Sequence, residues 1–142
     1  TQASRAEIER LLERYGADTF AYMTEGSKAR IAFRLQGRYI RFDLTLPDKA
    51  ERRFTHHSRG PRTPEGALAE WEQACRQRWR ALALVIKAKL EAVAAGITTV
   101  EDEFLAATIL PGGETAGEWL KPQLALAYAD GRMPTRLLEG LR

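Results

Sequence analysis

Two runs of strict alternation, separated by only two residues, constrain this chain more than any other feature. In the first, Ala29, Ile31, Phe33 and Leu35 share one parity, with Arg30, Ala32 and Arg34 on the other. After Gln36-Gly37, the second sets Arg38, Ile40, Phe42, Leu44 and Leu46 against Tyr39, Arg41, Asp43 and Thr45. A strand turns successive side chains to opposite faces, so each run describes a strand with one apolar side. Gln36-Gly37 can close a tight hairpin, with glycine accepting a positive φ. Upstream, Phe20 and Tyr22 alternate with smaller residues before a turn at Glu25-Gly26-Ser27. Together these predict a three-stranded antiparallel meander with one buried face.

Helical periods flank the meander. Ser4-Arg5-Ala6-Glu7 has the form of a capping box, followed by Ile8, Leu11, Leu12 and Tyr15 at helical spacing and a stop at Gly16. Thr63-Pro64-Glu65 opens the main helix, with a stripe through Leu68, Trp71, Cys75, Trp79, Leu82, Ile86, Leu90 and Val93, and Gly96 at its end. Thr98-Thr99-Val100-Glu101 predicts a short third helix carrying Phe104 and Leu105. Ile109 to Gly113 reads as a connector or brief strand. Thr115-Ala116-Gly117-Glu118 starts a last helix with Trp119, Leu120, Leu124 and Tyr128, in which Pro122 marks a kink or the true first turn. Gly131 and Pro134 close it. Residues 48–63 are polar, basic and rich in breakers, and read as a long loop. The predicted architecture is α+β: an N-terminal helix, the meander, then a long helix and two shorter ones packed on one sheet face, as a single domain over residues 1–142.

A single cysteine, Cys75, excludes an intramolecular disulfide and suits a reducing compartment. The longest apolar run stops at Lys87, far short of the roughly 20 residues of a membrane span. No apolar segment follows the first charges, so the expectation is a cytoplasmic protein with no membrane partner. The net charge of +3 is modest but unevenly placed. Residues 1–63 hold 13 Lys+Arg against 8 Asp+Glu, a net +5, whereas residues 64–142 hold 9 against 11, a net −2. Such asymmetry can steer an anionic partner to one half.

Catalytic motifs are sparse. The chain has no asparagine, which removes the usual H-N-H metal finger, and no Gly-rich phosphate loop of the G-x-x-x-x-G-K form. Its three serines, Ser4, Ser27 and Ser58, lack a nucleophile-elbow setting. His56-His57 lacks metal-ligand spacing and cysteine neighbours, and Glu101-Asp102-Glu103 is accounted for by the first turn of a capped helix. Cys75, Trp71, Trp79 and Trp119 are expected in the core. No catalytic residue, metal ligand set or cofactor is expected.

Basic residues give the one positive signal. Arg30, Arg34, Tyr39 and Arg41 share the non-core side of the meander, the combination of guanidinium groups and an aromatic that holds phosphates and stacks bases. Arg52 and Arg53, with Arg59 and Arg62, add to the same half from the loop. On the main helix Arg76, Arg80 and Lys87 fall in a narrow sector beside the apolar stripe, with Arg78 and Lys89 along its other edge. The competing explanation is a solvated or carboxylate-paired surface.

Several segments resemble a family of small proteins common in tailed-phage and prophage genomes. They are residues 9–17 (Glu-Arg-Leu-Leu-Glu-Arg-Tyr-Gly-Ala), 38–42 (Arg-Tyr-Ile-Arg-Phe), 77–82 (Gln-Arg-Trp-Arg-Ala-Leu), 86–91 (Ile-Lys-Ala-Lys-Leu-Glu), 118–120 (Glu-Trp-Leu) and 131–134 (Gly-Arg-Met-Pro). The resemblance implies a phage-type context, often near recombination or replication genes, and no activity or catalytic residue. The expectation is thus a non-catalytic phage-type accessory protein that binds DNA or RNA through the basic sheet face and helix edge. The alternatives are a protein-interaction module, an inhibitor or adaptor of a host or phage protein, and a metal-dependent nuclease using Asp43, His56 and His57. A homo-oligomer formed through the helix stripe is compatible with either of the first two.

Overall fold

The structure, a computed structural model, describes residues 2–131. It has the expected α+β order. Helix α1 (Gln2–Arg14) precedes strands β1 (Asp18–Glu25), β2 (Lys28–Leu35) and β3 (Arg38–Thr45). A helical turn α2 (Arg52–Thr55), the two-residue strands β4 (His56–His57) and β5 (Gly60–Pro61), the long helix α3 (Pro64–Ala94), the turn α4 (Val100–Glu103) and helix α5 (Ala116–Asp130) follow.

The sheet runs β1-β2-β3, antiparallel throughout. Between β2 and β3, Gln36 and Gly37 both take positive φ (50° and 75°), the twist-matched geometry of a two-residue hairpin. Leu35 pairs Arg38 across it, which sets the register that buries Ala29, Ile31, Phe33, Leu35 and Ile40. β1 joins with a bulge between Asp18 and Ala21, where Thr19 has φ 56°.

Helices α1 and α3 cover the apolar side. Ile8 and Leu12 from α1, and Trp79, Ala83, Ile86 and Leu90 from α3, join the sheet residues in one core. α4 delivers Phe104 into an aromatic cluster with Phe33 and Phe42, whose ring centroids lie 6.1–6.3 Å apart. Arg5 spans Tyr22 and Trp79 at 5.5 and 5.9 Å, and Tyr22, pushed up to about 12 by burial and by Glu9, keeps its hydroxyl proton.

Four local expectations change. The helix already runs through Ser4, so Ser4-Arg5-Ala6-Glu7 is not its starting cap. Residues 48–63 are not an open loop: buried Phe54 seats α2 beside α3, and Arg62 N–H donates to the Thr55 carbonyl at 2.7 Å to close the small hairpin. The α4 cap is Thr99, whose hydroxyl accepts the Asp102 N–H at 3.1 Å, one residue later than the sequence pattern placed it. Trp119 is exposed rather than in the core.

The stretch after α4 extends the sheet. Arg41 N–H donates to Ala107 (2.9 Å) and Ile109 N–H to Tyr39 (2.8 Å), so Ile40 and Thr108 bridge along the β3 edge. Thr115 and Glu118 form a complete capping box for α5, and Gly131 ends it with φ 66°. Pro122 lies inside that helix, past its first turn. Pro134 lies outside the described residues. Among those residues no helix is long and apolar enough to cross a membrane.

Candidate nucleic-acid interface

The expected basic residues separate into three places with different electrostatics. The sheet face opposite the helices is open, and Tyr39 is 50% exposed there. Its guanidinium groups, however, are matched one for one by carboxylates. Arg34 donates to both Asp18 oxygens, at 2.7 and 2.8 Å. Arg30 lies 3.2 Å from Asp43. Arg41, with its side chain only 11% exposed, sits between Asp43 (3.2 Å), the Gly113 carbonyl (3.0 Å) and Glu118. The Arg34 hydrogen bond holds the Asp18 carboxyl below its ordinary range, and Glu118 is held low chiefly by the Thr115 N–H it accepts, with Arg41 adding to the effect. Arg30, Arg34 and Arg41 against Asp18, Asp43 and Glu118 make the face charge-balanced. The Arg41 cluster locks α5 to the sheet edge.

The former loop is also largely self-satisfied. Arg53 pairs Glu51 at 2.6 Å and lies 4.4 Å over the Phe54 ring, while Arg62 pairs Glu70 at 3.1 Å. Arg52 and Arg59 are exposed and enter no ion pair among the described residues. The histidine rings serve the turn itself: Nδ1 of His56 lies 2.8 Å from the Thr55 hydroxyl, and Nδ1 of His57 accepts the Arg59 N–H at 3.0 Å. Among the described residues no group of three His, Cys, Asp or Glu side chains is arranged to hold a metal. Cys75 is buried, and burial pushes its thiol up, away from the reactive thiolate.

The third place is the seam between α1 and α3. Ile8 and Leu12 face the core, which turns Arg10 and Arg14, four residues apart, onto one rim of that seam. On α3 the buried positions Trp79, Ala83 and Ile86 turn Arg80 and Lys87 onto the facing rim. The two rims frame a groove of about 240 Å³ floored by Leu11 and Ala83, with the exposed Leu84 beside Arg80 and Lys87. Glu7 is the one carboxylate lining it, and Lys87 approaches Glu91 only at 3.9 Å. Arg10, Arg14 and Arg80 enter no ion pair among the described residues. Arg76, one turn before Arg80 in α3, donates to Gln73 at 2.7 Å. At the opposite flank Arg78 donates to the Thr45 carbonyl and Lys89 pairs Glu103, so both serve packing.

The structure therefore unites Arg80 and Lys87 with two residues that the sequence pattern did not single out, Arg10 and Arg14. Their signal was present as an i, i+4 pair beside the first helix's stripe. Which helix would face that pair was not legible. Four cations around an apolar-floored groove can hold an anion with repeated charges, because each can donate to an oxygen while its stem covers the floor.

By its fold and this groove, the chain is a small α+β domain with a cationic helix–helix seam. No family model, curated protein or solved structure matches it.

Proposed function

We propose that this chain is a non-catalytic, phage-type accessory domain of the cytoplasm that holds nucleic acid by its phosphate backbone in the groove between α1 and α3. The observation that carries this reading is the convergence of Arg10, Arg14, Arg80 and Lys87 on one groove, three of them without a carboxylate partner among the described residues. Unpaired cations held on rigid helices meet phosphates without first breaking an ion pair, whereas the sheet arginines would have to give up Asp18, Asp43 or Glu118. The groove lining includes no aromatic ring, so contact is with the backbone and tolerant of sequence. Titration of a labelled single strand and a labelled duplex at about 50 mM and 200 mM salt tests the proposal. Binding that weakens steeply with salt is expected, and no binding at the lower salt refutes it.

A protein-interaction role remains a second reading, favoured by one observation: α5 has no buried residue although it is apolar on most sides. The nuclease reading loses its carboxylate, since Asp43 is engaged by Arg30 and Arg41.

A further inference from the structure

Among the described residues, helix α5 is the one long element left uncovered. Residues 122–129, Pro-Gln-Leu-Ala-Leu-Ala-Tyr-Ala, carry no charge, and among the described residues no other helix or strand packs extensively against α5. A helical stretch this apolar is normally enclosed. Only its first turn is seated, where Gly117 N–H donates to Ala106 at 2.8 Å and a Cβ on Gly117 would meet that carbonyl at 3.0 Å.

One face of α5 carries both a cavity and a projection. The cavity, about 240 Å³ and almost wholly apolar, lies between Leu105 and the line Gly117, Leu120, Leu124. The projection is Tyr128, 87% exposed, one turn beyond Leu124 on the same face. An antiparallel pairing of two such helices, centred on Leu124, sets residue 128 of each copy opposite residue 120 of the other. We infer that the occupant of this face is a second copy of the chain, with each Tyr128 ring inserted into its partner's Leu105–Leu120 cavity and its hydroxyl at the rim. Knob and hole on one helix face, equally spaced about a midpoint, are what an isologous two-fold contact requires.

The area sets the strength. Taking about 200 Å² for a tyrosine and on the order of 100 Å² for a leucine, the exposed fractions of Tyr128 (87%), Leu105 (55%) and Leu124 (42%) amount to roughly 270 Å² per copy. Two copies fall below the ~1,200 Å² of a standard interface, so the pair is weak and reversible.

Sedimentation equilibrium of the full chain, free of nucleic acid, from about 10 µM to about 1 mM tests this pairing. The expected result is a weight-average mass rising from 16.0 kDa toward twice that value. Tyr128→Glu should move the midpoint at least about tenfold higher with an unchanged circular dichroism spectrum, since that side chain makes no core contact, and Leu124→Lys should act in the same direction. A mass fixed at 16.0 kDa would give the face to another protein or another stretch of this chain and overturn the inference. Assembly beyond two copies, or dimerisation indifferent to Tyr128→Glu, would overturn it equally.

Discussion

Neutralising half of the groove provides a quantitative test of where polyanions bind. Arg14→Gln with Arg80→Gln removes one cation from each rim and leaves Arg10 and Lys87 in place. Neither side chain enters an ion pair among the described residues, so no buried partner is orphaned and the fold should be unaffected. If all four cations displace counterions from a single strand, the slope of log K against log salt is about −0.7 × 4, or roughly −2.8. The double variant retains two and should show about −1.4. Between about 50 and 200 mM salt the parent's affinity then falls roughly 50-fold and the variant's roughly 7-fold. On a duplex the corresponding slopes are about −3.6 and −1.8. Fluorescence anisotropy of an end-labelled oligonucleotide over that salt range measures both. Arg30→Gln with Arg34→Gln is the control, because those cations are already held by Asp43 and Asp18. An unchanged slope in the groove variant, or an equal reduction in the sheet variant, would refute the groove as the binding location.

Three further outcomes bear on the fold. Phe33→Ala removes a fully buried ring at the centre of the aromatic cluster and should cost about 3–5 kcal/mol in urea unfolding; a loss under 1 kcal/mol would mean that the cluster is not packed as described. Thr115→Ala deletes the α5 cap and should cost about 1 kcal/mol, or about 3–4 °C in thermal midpoint, without changing oligonucleotide affinity. Asp18 and Glu118 both have folded-state pKa values below their ordinary 3.8 and 4.5. Their contribution is therefore complete above the unfolded values and disappears as pH falls through the folded ones. Stability measured from about pH 6 to about pH 3 should decline, less steeply in Asp18→Asn and in Glu118→Gln; identical profiles in parent and variants would exclude these carboxylates as the cause.

The sheet was legible because its signals are local. Alternation from Ala29 to Leu46, interrupted only by Gln36-Gly37, specifies strand, turn and buried face together, since a one-residue slip would expose every core side chain. The α3 stripe was legible for the same reason at a different period, and Cys75, Trp79, Ile86 and Leu90 are buried along it. The 48–63 segment was not, because what organises it is Phe54 finding α3, a contact between segments rather than a pattern within one.

Which charges are available for binding belongs to the tertiary structure alone. Composition and spacing placed Arg30, Arg34 and Arg41 on one face, but their partners Asp18 and Glu118 come from a bulged edge and from a helix start more than seventy residues downstream of Arg41. Conversely Arg10 and Arg14 became candidates only when α1 lay against α3 and brought them opposite Arg80 and Lys87. A residue's type and period are fixed by the chain. Coulombic neighbours act through space over a few ångströms, and only folding decides who those neighbours are.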